Sequence, residues 1–210
     1  MGYLDHQKHA LKTADSRILG LKDKIVFLKS WIRSPRAVGA IAPSSKSLAR
    51  AVMRQIDPLH PGWIIELGAG TGAMTEALLE EGVSPLRLLV IERSEELSQV
   101  LKARFPDLKI VTDDAAHLKE IIERYKVTDV HAVVSSLPLL SLKARVRKAV
   151  LAQIADILGT TGIFVQYSYR HTSPIPPEHL KRYQLSAKRV GFAWFNMPPA
   201  SVWRYQSTRG

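Results

Sequence analysis

The sequence predicts an α/β fold: a seven-stranded sheet of five parallel strands closed by a C-terminal β-hairpin, preceded by an N-terminal amphipathic helix. Three observations predict it. Strand-like and helical runs alternate from residue 63 onward, and the first strand enters a glycine-rich turn in "WIIELGAGTGAMTEALLEEG" (63–82). After the fifth strand the alternation ends in two strand-like runs, "AKRVGFAWFN" and "SVWRYQST", joined by "MPPA". Alternation at this rhythm implies right-handed crossovers and a parallel sheet covered on both faces, and two strands with so short a link pair as a hairpin.

Each element follows from its own pattern. In residues 16–34, Ile18, Leu21, Ile25, Leu28 and Ile32 recur at steps of three and four, a helical stripe widened by Leu19, Val26 and Trp31. The opposite side carries Arg17, Lys22, Lys24, Lys29 and Arg33, with Asp23 the one acid. Pro35, Gly39 and Pro43 then make a loop, and Ser44 or Ser45 can cap the helix that follows. Strands are expected at 63–67, 86–92, 109–112, 129–136 and 162–169, helices at 72–82, 94–104, 116–125 and 141–158, and a short helix near 177–185. The chain therefore divides into an arm and loop (1–45) and an α/β domain (46–210).

Composition narrows the possibilities. The 210 residues, 46% of them hydrophobic, suit one α/β domain with a substantial core. There is no cysteine, which excludes disulfide and thiolate chemistry and fits a reducing cytoplasm. The polar start lacks a secretory core and no apolar run approaches the roughly 20 residues needed to span a bilayer, so an integral membrane protein is not expected. Thirty Lys and Arg against 19 Asp and Glu give +11, a surface that attracts polyanions such as nucleic acid or anionic lipid.

In an open parallel sheet, ligands sit beyond the carboxyl ends of the strands. Topology therefore gathers Glu66 with Gly68, Gly70 and Gly72 after the first strand, Glu92 after the second, Asp113, Asp114 and Ala115 after the third, and Ser135 and Ser136 after the fourth. Gly68-x-Gly70-x-x-Ala73 also satisfies the loose nicotinamide fingerprint. A dinucleotide fold would repeat a second βαβαβ half where this chain has a hairpin, and no Lys follows the glycines to meet a pyrophosphate. Glu92, 20 residues past Gly72, can accept both hydroxyls of a ribose, an Asp at 113 or 114 can accept from an adenine amine, and an acid at the mouth of the turn suits a cation.

The motif "ELGAGTG" resembles the first motif of the class I S-adenosylmethionine methyltransferases, acid-x-Gly-x-Gly-x-Gly. That resemblance implies a Rossmann-like fold, S-adenosylmethionine as cofactor and S-adenosylhomocysteine as product. It gives the glycines the methionine part of the cofactor, Glu66 the region of its amino group, Glu92 the ribose, and Asp114 with Ala115 the adenine, with Ala69 and Arg93 also in the cofactor-binding set. Asp114 is preferred over Asp113 because the family pattern puts the acid directly before Ala. Ser44, Ser45 and Ser135 complete the expected cofactor set.

Within that superfamily two groups compete, the rRNA adenine dimethyltransferases and the bacterial phosphatidylethanolamine N-methyltransferases. Base-amine methylation goes with a polar residue and an aromatic around the fourth-strand proline, to clamp and stack a flipped base. Here Ser135-Ser136-Leu137-Pro138-Leu139 has neither amide nor aromatic. "IRSPRAVGAIAPSSKSLAR", "SSLPLLSL" and "FNMPPASVWRYQ" resemble the phospholipid enzymes, and with the glycine motif that similarity runs over most of 16–208.

The resemblance implies methylation of phosphatidylethanolamine and its mono- and dimethyl forms towards phosphatidylcholine, by a monomer at the inner face of a bacterial cell membrane. Polar candidates for the acceptor site are Ser135, Ser136, Tyr167, Tyr169 and His171, with His171 able to take a proton and the tyrosines able to face a methylated ammonium. Lys22, Lys24, Phe27, Lys29, Trp31 and Arg33 suit an arm lying in the headgroup plane of an anionic membrane. An rRNA adenine N6-methyltransferase and a basic, non-catalytic protein that keeps the cofactor fold are the alternatives.

Overall fold

A computed structural model describes residues 46–193 and 200–209. The arm, Ser44, Ser45 and the "MPP" of the hairpin link lie outside the described residues. The elements are α1 (Lys46–Met53), β1 (Trp63–Leu67), α2 (Ala73–Glu80), β2 (Leu88–Glu92), α3 (Glu95–Arg104), β3 (Lys109–Thr112), α4 (Leu118–Arg124), β4 (Val130–Ser135), α5 (Ala144–Ile157), β5 (Ile163–Ser168), α6 (Pro177–Arg182), β6 (Leu185–Ala193) and β7 (Ala200–Ser207). The strands form one sheet in the order β3-β2-β1-β4-β5-β7-β6. The first five are parallel, and β7 runs antiparallel between β5 and β6, as the sequence predicts.

Period-two burial sorts the strands into two faces. Ile65 and Leu67, in register with Leu89 and Ile91 of β2 and Val133 and Ser135 of β4, lie on a face whose apolar residues form a buried core cluster, continued by Phe164 and Tyr205. Ile64 and Glu66 alternate with them. Helix α1 packs against β6, β7 and α2, with Leu48 and Val52 fully buried. The order reverses between β1 and β4, where a parallel sheet opens a crevice at its carboxyl edge.

Local chemistry sets the boundaries that matter for that crevice. Residues 86–87, expected in β2, belong to a 3₁₀ turn at Pro85–Arg87 because proline fixes φ and starts a turn. Ser94 caps α3 by accepting from Leu97 N–H at 3.3 Å, with Glu95 and Glu96 in the first turn and Lys102 and Arg104 in the last, charges that complement the helix dipole. Residues 116–117, expected in a helix, form a separate 3₁₀ turn at Ala115–His117 because the Asp114 side chain caps it by accepting from Ala116 N–H at 2.9 Å.

Candidate functional site

The glycine turn is held open by named bonds. Gly68, Gly70 and Gly72 have φ of 73°, 60° and 85°, the left-handed region that side chains other than glycine rarely adopt. Gly68 N–H donates to Ile91 O at 2.8 Å and Gly72 N–H to Ala69 O at 2.9 Å, while an Arg104 guanidinium donates to Thr71 O and pairs with Glu76 at 3.2 Å. A Cβ on Gly72 would stand 2.7 Å from both Leu101 and Phe105, so this glycine lets α2 approach α3. A Cβ on Gly70 would meet nothing within 4 Å, so the middle of the turn is bare backbone.

Glu66 and Glu92 stand behind that backbone. Glu66 is fully buried; Thr75 Oγ1 donates to its Oε2 at 2.7 Å, and its Oε1 has no hydrogen-bond partner among the described residues. Burial, with the nearby Glu92 charge adding to it and the Thr75 bonds opposing, pushes its pKa up to about 7. Glu92, 7% exposed, accepts Gly70 N–H on Oε2 and Ser94 N–H on Oε1, each at 2.9 Å. Its carboxylate shapes the turn, and each oxygen keeps acceptor capacity for a further donor.

The third-strand acids separate. Asp113 Oδ1 accepts from Asp114 N–H and meets His117 Nδ1, both at 2.8 Å, and Arg124 lies 3.7 Å from Oδ2. The His117 bond first, then the Asp114 N–H and the nearby cations, hold the Asp113 carboxyl below its usual value, and the same bond raises His117. Asp113 is thereby committed to its own loop. Asp114 Oδ2 faces the exposed Arg93 at 3.6 Å, and Ala115 is buried.

On the acceptor side, Ser135 is fully buried and its Oγ accepts Leu137 N–H at 3.2 Å, so it braces the loop; Ser136 is 5% exposed and its N–H donates to Leu67 O at 2.9 Å. Tyr167 is buried and meets Tyr169 edge-on, ring centroids 6.1 Å apart. His171 is exposed and stacks on Phe192 at 5.5 Å. The loop after β5 closes on the sheet through Ser173 Oγ, 2.9 Å from the hydroxyl of buried Tyr205.

Three contributors were not named from sequence, Thr75, Arg104 and Gln166, and Leu137 was named only as a member of the motif at 135–139. Leu137 Cδ2 lies 2.8 Å from where a Gly68 Cβ would stand, so the loop after β4 packs on the glycine turn. Gln166 had a visible signal, a lone amide inside the apolar strand "GIFVQYSY".

These residues fit S-adenosylmethionine. The turn exposes bare backbone at Gly70, the unpartnered Glu66 oxygen suits an ammonium, and Glu92 and Asp114 offer acceptors for ribose hydroxyls and an adenine amine.

The architecture is the fold seen in solved S-adenosylmethionine-dependent methyltransferases. A TehB-like methyltransferase of this class from Corynebacterium glutamicum superposes with a TM-score of 0.61 at 18% identity, over 89% of this chain and 99% of the other. A glycopeptide N-methyltransferase with S-adenosylmethionine bound gives 0.60 at 15%, over 82% and 99%. In sequence, the chain is 27% identical over 188 residues to the ornithine lipid N-methyltransferase of Singulisphaera acidiphila, 87% of this chain and 95% of that protein. It is also 29% identical to the ribosomal RNA small subunit methyltransferase A of Maridesulfovibrio salexigens, but over 83 residues, 40% of this chain and 31% of that enzyme. No family model matches the chain.

Proposed function

We propose that this protein uses S-adenosylmethionine to methylate the amine of a membrane lipid. Phosphatidylethanolamine and its mono- and dimethyl forms are the acceptors implied by the sequence resemblance, and an ornithine lipid is the second candidate because the relative acting on it aligns along nearly its whole length. The observation that carries the reading is the loop after β4. An apolar Leu137 lies against the glycine turn, and Ser135 and Ser136 are buried and tied to the loop and to β1, leaving no amide or aromatic in 135–139 to clamp a flipped base. That argues against an RNA adenine acceptor.

The bound cofactor supplies an electrophilic sulfonium methyl, and the protein supplies position. A lipid ammonium has a pKa near that of lysine, about 10.4, so the site must favour its neutral form, and a desolvated pocket does so. Glu66 and Glu92 hold the cofactor, the 135–138 loop walls the acceptor, and proximity replaces covalent catalysis. His171, just past the carboxyl end of β5, is the candidate to receive the proton.

The enzyme works on the inner face of an anionic membrane. Supporting this are the +11 charge, the basic, apolar-striped arm, and the exposed Leu140, Lys143, Arg145 and Lys148 within a stretch of sequence, 130–155, that has no acidic residue. No helix among the described residues is long and apolar enough to cross a membrane. The test is to incubate the protein and labelled cofactor with liposomes containing phosphatidylethanolamine or ornithine lipid: label in lipid supports the reading, and label in neither lipid refutes it.

A further inference from the structure

We infer that Gln166 is a positioning residue for methyl transfer, acting through Leu137; the inference rests on the lipid N-methylation reading. Gln166 sits on β5 in register with Ser135 of β4 and Trp203 of β7 and is 2% exposed. Its Nε2 donates to Leu137 O at 3.1 Å and to Tyr167 O at 2.8 Å, which fixes the orientation of the amide and leaves Oε1 buried with no hydrogen-bond partner among the described residues. Burying an unpaired amide oxygen is costly, and a leucine would fill this apolar strand without that cost. A local rule broken in this way marks a gain elsewhere.

The gain is the posture of Leu137. Its N–H is held by Ser135 Oγ, and its carbonyl accepts from Leu139 N–H at 2.8 Å as well as from Gln166. Pro138 follows, lacking an N–H and biasing Leu137 away from helical backbone. Fixed at both ends, the residue presses its side chain against the backbone of Gly68. Gln166 is the tie in this set that reaches the loop from β5. Without it the loop can shift, and a shift at Leu137 alters both the wall of the cofactor turn and the wall of the acceptor site.

Two variants separate positioning from packing. In Gln166→Leu both donors are lost. In Gln166→Glu the protonated carboxyl keeps one donor for the Leu137 carbonyl, whereas the ionised form has none and faces two carbonyl oxygens; burial raises the pKa of such a carboxyl, so the variant titrates the tie. S-adenosylhomocysteine affinity is measured by calorimetry at pH 6 and 9, alongside kcat and KM for both lipids, always as a ratio to wild type so that titration of Glu66 cancels.

Gln166→Leu should bind S-adenosylhomocysteine about fivefold or more weakly at both pH values, with kcat reduced. Gln166→Glu should approach wild type at pH 6 and fall to the Gln166→Leu level at pH 9. The inference is overturned if Gln166→Leu stays within about twofold of wild type in affinity and kcat, or if Gln166→Glu gives the same ratio at both pH values. Should Gln166→Leu fail to fold, the pH series of Gln166→Glu decides alone. If the affinity pattern appears but wild type methylates neither lipid, Gln166 keeps its positioning role and the acceptor assignment fails instead.

Discussion

Glu66 is the residue where burial and function meet. Its carboxyl is pushed up to about 7 from 4.5, so its neutral form stabilises the ligand-free protein fully below about pH 4.5, and that contribution is lost as pH rises through 7. An ammonium brought against the free oxygen favours the ionised form, so cofactor binding near pH 6 should release a proton and tighten as pH rises towards 7. Calorimetry in two buffers of different ionisation enthalpy measures that proton, and Glu66→Gln should abolish both the release and the pH slope; unchanged proton release in the variant would assign the titration elsewhere. Glu92 holds Gly70 and Ser94 N–H and keeps acceptor capacity on both oxygens, which the proposed ribose contact would use. Glu92→Ala should weaken S-adenosylhomocysteine binding by about 1.5–3 kcal/mol, and unchanged affinity in a folded variant would refute the ribose assignment. Both acids were legible in the sequence because topology puts strand ends at one edge. The split between Asp113 and Asp114 became visible in the bonds, where His117 and Arg124 draw one acid aside.

At the scale of elements, the loop between α1 and β1 is fastened to β4 by two stacked imidazoles at the amino edge of the sheet. The rings of His60 and His131 are 3.9 Å apart and inclined by 11°. His131 Nε2 accepts Asp57 N–H at 3.2 Å and His60 Nδ1 accepts Gly62 N–H at 3.0 Å, so both bonds require unprotonated nitrogens. Burial first, then His60 and Arg87, lower the pKa of His131 against the opposing Asp57 and Asp129. This stability is present above pH 6.5 and is lost as pH falls through the lowered value. His131→Phe should be less stable than wild type at pH 8, by about 1 kcal/mol for the lost acceptor, yet lose less on acidification to pH 5, which thermal melts across that range will show. The strands were readable from apolar runs and the parallel order from alternation with helices. Their ends were not, because a proline at 85 and a side-chain cap at Asp114 convert expected strand and helix residues into 3₁₀ turns. The histidine pair joins residues 71 positions apart and leaves no periodic trace in the sequence.

For the whole molecule, the +11 charge and the position of the acceptor loop bear on where the enzyme works. If the arm lies in a headgroup plane, reversing Lys22, Lys24 and Lys29 to Glu turns attraction into repulsion at an unchanged apolar stripe. Sedimentation with anionic liposomes at low salt should then be lost while S-adenosylhomocysteine affinity is kept, and undiminished sedimentation would remove the arm from the membrane assignment. The central claim concerns the acceptor, and the most direct measurement is transfer of labelled methyl from S-adenosylmethionine in parallel reactions with phosphatidylethanolamine liposomes, ornithine lipid liposomes and unmodified small-subunit rRNA. Label should appear in a lipid amine, with Glu92→Ala abolishing most of it, and not in RNA. Label in RNA adenine with none in either lipid would contradict the claim.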